Sequence, residues 1–257
     1  MVWKKRKKRN KKIFIIGNMY VVKKDNKDRL IAENLYLSLY KSANIENVVF
    51  FNKNFNFAVY KYEKGNEIEL GHNNIIRYIY QLSRIVSIYK NCDLDGYGDV
   101  YNTFNTWEDF LKNEINNNCI WIEEKDKYKI VLKAVDSLKK YRFFKKIIHG
   151  DMGVFNIIFE KNNIKKIIDP RTIIGDPLYD IIYFIFSKPK MINSIDIITD
   201  IINIVNEPRE KIIDMMVIVL YIRIAIHKKY GKNTSYYEKI WDILIEDFLT
   251  GEKYANK

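Results

Sequence analysis

The chain has 257 residues, of which 47% are apolar and 30% charged, a globular composition that excludes a disordered or fibrous protein and suffices for one large domain or two lobes. Lysine and arginine total 44 against 32 acids, a net charge of +12; this either marks an anionic partner or follows from a chain rich throughout in Lys, Asn, Ile and Tyr. The longest apolar stretch, Met215–Ile222, ends at Arg223, far short of the roughly 20 residues of a membrane span.

Met1–Lys12 carries eight cations and no acid, and no apolar core of a secretory signal is present there, so a cytoplasmic protein is expected. Lys12–Ile16 and Met19–Lys24 are β-prone runs, and Gly17-Asn18 between them predicts a hairpin turn. Asp28–Ser42 places Leu30, Ile31, Leu35 and Leu39 at helical spacing behind acidic residues. Val48–Phe51 and Phe57–Tyr62 read as strands, with Glu63-Lys64-Gly65-Asn66 as a turn. Helices are predicted over Asn73–Asn91, Thr106–Asn117 and Lys125–Lys146. Short apolar runs return at Ile147-Ile148, Ile157–Phe159 and Ile164–Ile168, before helices at Pro177–Ser187, Ile195–Val205, Pro208–Tyr230 and Ser235–Leu249. The order is a small sheet with one helix, then a larger helical part with a strand-rich insert.

Two local features stand out from this order. Asp93–Glu124 holds eight acids against the single cation Lys112, within a basic chain. Asp93–Asp99 resembles a calcium loop in spacing, but Tyr97 and Phe104 occupy positions that need oxygen ligands, which excludes it. The two cysteines, Cys92 and Cys119, have no metal-ligand or redox spacing and are expected as reduced thiols.

The strand-rich insert carries the chemistry. His149-Gly150-Asp151-Met152-Gly153-Val154-Phe155-Asn156 is followed by Ile167-Ile168-Asp169-Pro170 and then Gly175-Asp176-Pro177-Leu178-Tyr179-Asp180. An Asp, an Asn five residues on, and an Asp beyond a short hairpin can supply one group that orients and deprotonates an attacking hydroxyl and two oxygen ligands for Mg²⁺. No GxxxxGK[ST] or GxGxxG loop suggests another nucleotide fold.

The three motifs, HGDxxxxN, IDP and GDPxxD, resemble the aminoglycoside phosphotransferase family, which groups with choline and fructosamine kinases in the protein-kinase-like fold. The strong match covers His149–Ser187, and Gly96–Leu111 is similar to a Gly-aromatic, Trp-Phe segment of these kinases. The resemblance implies an α+β, two-lobed protein-kinase-like fold, with a small β-rich N-lobe over residues 1–62 and a larger, mostly helical C-lobe over 63–257. It implies that Asp151 receives the proton of the acceptor hydroxyl and that Asn156 and Asp169 hold Mg²⁺. It further implies that His149 braces the catalytic loop, while Asp180 caps its helix or ties that loop down and Asp176 is a turn or N-cap acid. The family's strand lysine falls on Lys23, with Lys24 on the opposite face as its one-residue alternative, and Glu33 is its carboxylate partner. Phe57–Glu63 is similar to the hinge that reads adenine, which singles out Tyr60 and Tyr62.

One departure concerns the phosphate loop. Lys4–Lys11 contains no glycine, so either the first strand is shortened or absent, or cationic side chains replace backbone donors. The implied activity is transfer of a phosphoryl group from ATP or GTP, with Mg²⁺, to a hydroxyl of a small molecule. The acceptor expected is cationic, of aminoglycoside or amino-sugar type, met by Asp93, Asp95, Asp99 and Glu246. The plainer alternative for these acids is a set of solvated helix faces, with Glu108 and Lys112 as an (i, i+4) pair. Metabolite kinases of the choline or fructosamine type are the functional alternative. A non-catalytic kinase fold binding nucleic acid or an anionic surface is the other, disfavoured by the intact Asp151, Asn156 and Asp169.

Overall fold

The computed structural model describes residues 6–8, 11–42, 44–46, 48–54, 56–69, 71–192 and 194–249. Five antiparallel strands open the fold: β1 (Arg6–Lys8), β2 (Lys11–Ile16), β3 (Tyr20–Lys24), β4 (Val48–Asn52) and β5 (Phe57–Lys61), in the order β1-β2-β3-β5-β4. Gly17 and Asn18 both take positive φ (57° and 53°), and Ile16 pairs with Tyr20, so the loop has three residues and Met19, expected to open the next strand after a two-residue turn, sits in it. β1 settles the alternatives for the first strand: it is present, three residues long, and pairs Lys8 with Lys11. Residues 4, 5, 9 and 10, half of the Lys4–Lys11 segment in question, lie outside the described residues.

Helix α1 (Lys27–Leu39) starts where the Asn26 side chain accepts from the Asp28 N–H at 2.8 Å. It lies against β4 and β5, burying Leu30, Ala32, Glu33, Tyr36 and Leu37. Beyond β5, the expected turn at Glu63–Asn66 is instead irregular chain joined to the second lobe. The Asn66 N–H donates to the Phe159 carbonyl at 2.9 Å, so the backbone group that would close a turn is used between lobes.

The second lobe contains α2 (His72–Ser87), a hairpin of β6 (Tyr97–Asp99) and β7 (Asn102–Phe104), α3 (Trp107–Asn116) and α4 (Lys125–Leu138). The helix expected to continue to Lys146 stops at Leu138. At the helix end the Lys139 N–H bonds the Asp136 carbonyl, and Lys146–Ile148 becomes β8, paired with β11 (Ile173–Gly175). β9 (Ile157–Glu160) and β10 (Asn163–Ile167) form a separate hairpin, and β7-β6-β11-β8 form a four-stranded sheet.

Helices α5 (Pro177–Phe186), α6 (Ile195–Ile204), α7 (Arg209–Lys229) and α8 (Ser235–Ile243), with a π-helical turn at Leu244–Leu249, complete the lobe. α7 is buried on every face from Lys211 to Ala225 and packs on α3, α4, α5, α6 and α8. Among the described residues, no helix is long and apolar enough to cross a membrane. The architecture is therefore two-lobed α+β, with a small sheet lobe and a larger, mostly helical one.

The contact between lobes depends on Gly65. A Cβ there would fall 2.3 Å from Ile158 Cγ2 and 3.1 Å from the Phe159 carbonyl oxygen. Gly65→Val is expected to lower stability by about 1–3 kcal/mol, the usual cost of overpacking. Chemical denaturation checks this, and an unchanged midpoint would show that the junction has slack.

Candidate active site

The site is assembled on one face of α5. Asp176 caps that helix by accepting the Leu178 N–H at 2.9 Å, with Pro177 behind it. The Lys211 ammonium on α7 then pairs with Asp176 at 2.7 Å. One turn along α5, Asp180 is fully buried and accepts three hydrogen bonds, from the N–H groups of His149 and Gly150 (both 2.8 Å) and from the Tyr89 hydroxyl (2.9 Å). Tyr36 on α1 donates in turn to Tyr89 at 3.0 Å and meets the His149 ring edge-on at 5.6 Å. Two turns beyond Asp180, the Ser187 hydroxyl accepts from the Val154 N–H at 2.9 Å.

Within the loop so held, His149 Nδ1 accepts from the Asp151 N–H at 3.2 Å. Its Nε2 therefore carries the proton and donates to the Ile168 carbonyl at 3.0 Å. The ring ties the Asp151 segment to the Asp169 segment and has no spare nitrogen for acid–base work. Asn156 Nδ2 donates both to the Asp151 carbonyl (2.8 Å) and to Asp151 Oδ2 (3.0 Å). Asp169 sits in the left-handed region (φ 61°), and its Oδ1 accepts from Lys23 Nζ at 2.6 Å.

Lys23 is buried on β3 and also ion-paired with Glu33 of α1, whereas Lys24 is exposed on the other face of the strand. Burial works against the ammonium, but the two carboxylates outweigh it and hold the Lys23 pKa above the ordinary lysine value. A cleft of about 420 Å³ opens here, lined by Lys23, Glu33, Glu46, Tyr60, Tyr62 and Asp169 with apolar walls from Ile13, Ile15, Val21, Ile158 and Ile168. Tyr60 is buried against Glu33, and burial together with that carboxylate raises its pKa. Tyr62 is half-buried; its N–H is used on the Met19 carbonyl at 2.8 Å and is not presented to the cleft.

Not every candidate joins this cluster. Asp93 and Asp95 are exposed on the connection after α2, and Glu246 is exposed in the π-helical turn Leu244–Leu249. Asp99 is compensated internally: Arg171 Nε and Nη2 bond its two oxygens at 2.8 and 2.7 Å, while Nη1 and Nη2 bond Glu114 at 2.8 and 3.0 Å. The Arg171 N–H also donates to the His149 carbonyl at 2.9 Å, so this pair fastens the acidic segment to the loop. Lys112 pairs with Asp136 at 3.0 Å, rather than with Glu108 as in the plainer alternative. Glu46, Tyr89 and Tyr36 were not indicated by any motif, and each reaches the site from a segment remote in sequence; Arg171 directly follows the Asp169-Pro170 motif but was not singled out.

Both cysteines are free thiols. Among the described residues no three His, Cys, Asp or Glu side chains are clustered for a metal ion. The donors available are the Asp169 carboxylate and the Asn156 amide oxygen, whose amide nitrogen is committed to Asp151. This hard-oxygen set fits Mg²⁺, which takes few protein ligands and completes its shell with water and phosphate.

No family model and no curated protein sequence matches the chain. Solved structures do. A thermostable mutant of aminoglycoside phosphotransferase APH(4)-Ia superposes with a TM-score of 0.67 at 15% identity, covering 96% of this chain and 94% of that one. A variant of the same enzyme in ternary complex with AMP-PNP and hygromycin B gives 0.66 at 15% identity over 95% and 93%. A Haemophilus somnus protein assigned as a fructosamine-3-kinase gives 0.62 at 18% identity over 96% and 90%. The chain has the two-lobed fold that these structures share.

Glu46 makes a pH test possible. Burial, with Glu33 and Asp169 nearby and Lys23 opposing, pushes its carboxyl from 4.5 up to about 8. The folded chain then holds a proton that the unfolded chain releases, so this contribution to stability is full below the unfolded value and is lost as pH rises through about 8. Urea denaturation from about pH 5 to about pH 9 should show wild type losing stability relative to Glu46→Gln until about pH 8, with a constant difference above. A difference that stays flat throughout would refute it.

Proposed function

We propose that the protein is a phosphotransferase that moves the γ-phosphoryl group of ATP or GTP to a hydroxyl of a small molecule. The observation that carries this reading is the convergence, across the two lobes, of Lys23 and Glu33 from the sheet side on Asp169 at 2.6 Å, next to a loop that joins Asn156 to Asp151 at 3.0 Å. Phosphoryl transfer needs a cation on the phosphates, oxygen ligands for a divalent metal and a carboxylate at the acceptor hydroxyl, and these residue types supply all three.

In this reading the sheet lobe, residues 1–62, grips the nucleotide and the remainder carries the catalytic loop. The base lies between β2, β3 and Tyr60–Tyr62, and Lys23, steadied by Glu33, meets the phosphates. Asn156 and Asp169 would hold Mg²⁺, which neutralises phosphate charge when bound. Asp151 orients the acceptor hydroxyl and takes its proton as the oxygen bonds to the γ-phosphorus and the bond to the β-phosphate bridge breaks. His149 and Asp180 keep the loop in place and touch no reactant. The AMP-PNP complex of the similar structure supports ATP as donor.

For the acceptor, the exposed Asp93, Asp95 and Glu246 support a cationic molecule of aminoglycoside or amino-sugar type. Asp99 contributes by carrying Arg171 rather than by offering a free charge. The likeness to the Haemophilus somnus protein favours, as second reading, a kinase of glycated amines or related metabolites.

Transfer of label from γ-³²P-ATP or GTP to a panel of aminoglycosides, amino sugars and amino alcohols tests the proposal. Wild type should label at least one acceptor, and Asp151→Asn should cut turnover by about 10²–10⁴, the range for general acid–base groups, with nucleotide affinity unchanged. Turnover of Asp151→Asn within about twofold of wild type would remove Asp151 from its role.

A further inference from the structure

Asp169 and Thr172 both stand in the left-handed region, each at φ 61°. That conformation crowds a side chain, and a β-branched one most of all. Thr172 is also fully buried, with its hydroxyl unpaired in the interior. The Asp169–Thr172 turn is therefore strained at both ends, and such a turn persists only where its surroundings over-determine it.

Part of that hold comes from one residue, His149. Its Nε2 donates to the Ile168 carbonyl before Asp169, and the N–H groups of Arg171 and Thr172 both donate to the His149 carbonyl, at 2.9 and 3.0 Å. The Arg171 side chain supplies a second anchor, away from His149. Its fork makes four charge-assisted bonds, 2.7 to 3.0 Å long, to Asp99 of β6 and Glu114 of α3. Asp99 in turn stands opposite Ile173, the residue that follows the turn, in the pairing of β6 with β11. Countering charge does not explain Arg171, since two carboxylates still face one guanidinium. What the planar fork adds over a lysine is direction.

We propose that Arg171 is a positioning residue for Asp169. Gripped by Asp99 and Glu114, its guanidinium holds the strained Asp169–Thr172 turn and so sets the Asp169 carboxylate in the cleft, where Oδ1 accepts from Lys23 Nζ at 2.6 Å. The inward-facing acids of the Asp93–Glu124 segment thus act on the metal-ligand turn. The consequence for Mg²⁺ rests on the phosphotransferase reading; the hold on the turn does not.

Backbone amide exchange, followed by NMR without nucleotide or metal, tests the hold directly. In Arg171→Met the N–H groups of residues 171 and 172 should exchange at least about tenfold faster, measured against the buried amides of α7, which report global opening. Unchanged protection at 171 and 172 would overturn the proposal, and so would an acceleration shared equally by α7, the mark of plain lost stability. Arg171→Met leaves two carboxylates unopposed, so the same measurement is made on the triple variant Arg171→Met, Asp99→Asn, Glu114→Gln. There exchange at 171 and 172 should stay fast while α7 returns to the wild-type rate; restored protection at the turn would show Arg171 to be a counter-charge and nothing more. Arg171→Lys keeps the charge without the fork and should also exchange faster at both positions, which keeps the test open where the other variants do not fold; wild-type rates in it would contradict the assignment. In steady-state transfer, the Mg²⁺ concentration at half-maximal rate should rise about 10- to 100-fold in the triple variant, the usual cost of removing support behind a metal ligand, with kcat at saturating Mg²⁺ changed far less. A fall in kcat alone would overturn the link to Asp169. If wild type transfers no phosphate, the phosphotransferase reading fails while the exchange result still decides the hold on the turn.

Discussion

The site depends on one buried carboxylate. Asp180 has no contact with solvent, and its three hydrogen bonds fix the backbone at His149 and Gly150 together with the Tyr89 hydroxyl. Burial raises its pKa, with the His149 ring and the donated hydrogen bonds opposing that rise. Each donor orphaned by its loss would cost about 1–3 kcal/mol, because water cannot replace the partner. The Asp151 loop is therefore placed by α5 rather than by its own sequence. Asp176 and Lys211 place α5 against α7 in turn, and Tyr36 carries the same network to α1 of the other lobe.

That connection matters because α1 also carries Glu33. A single helix touches the loop network through Tyr36 and the cleft lysine through Glu33, one turn apart. Lys23 consequently stands between an acid of its own lobe and Asp169 of the other. Glu46 and Glu63 add further carboxyls to the cleft wall, and burial raises the pKa of Glu46. Glu33, Glu63 and Asp169 there face the two cations Lys23 and Lys61.

Much of the site was legible where its chemistry is local in sequence. HGDxxxxN, IDP and GDPxxD set Asp151, Asn156, Asp169 and Asp180 within one stretch, whereas two-residue periodicity puts Lys23 and Lys24 on opposite faces of β3 without saying which is buried; Glu33 and Asp169 receive Lys23. What escaped has no local mark. Glu46 lies in a short connection between α1 and β4, and Tyr36 and Tyr89 are two of 19 tyrosines. Tyr62 lines the cleft, but its N–H is bonded to the Met19 carbonyl. The overextended helix at Lys125–Lys146 and the missed strands β6, β7 and β11 share one cause: three-residue strands are too short for alternation to show, and their pairing is decided by partners far along the chain.

The central claim is that the cleft between Lys23 and Asp169 is a metal-dependent nucleotide site. The most direct measurement is the melting temperature of the wild-type chain and of Asp169→Ala with ATP or GTP, in the presence and absence of Mg²⁺. The account predicts that nucleotide with Mg²⁺ stabilises wild type, by about 2.7 kcal/mol at a hundredfold excess over Kd, and leaves Asp169→Ala unmoved. An equal, Mg²⁺-dependent stabilisation of both proteins would contradict it.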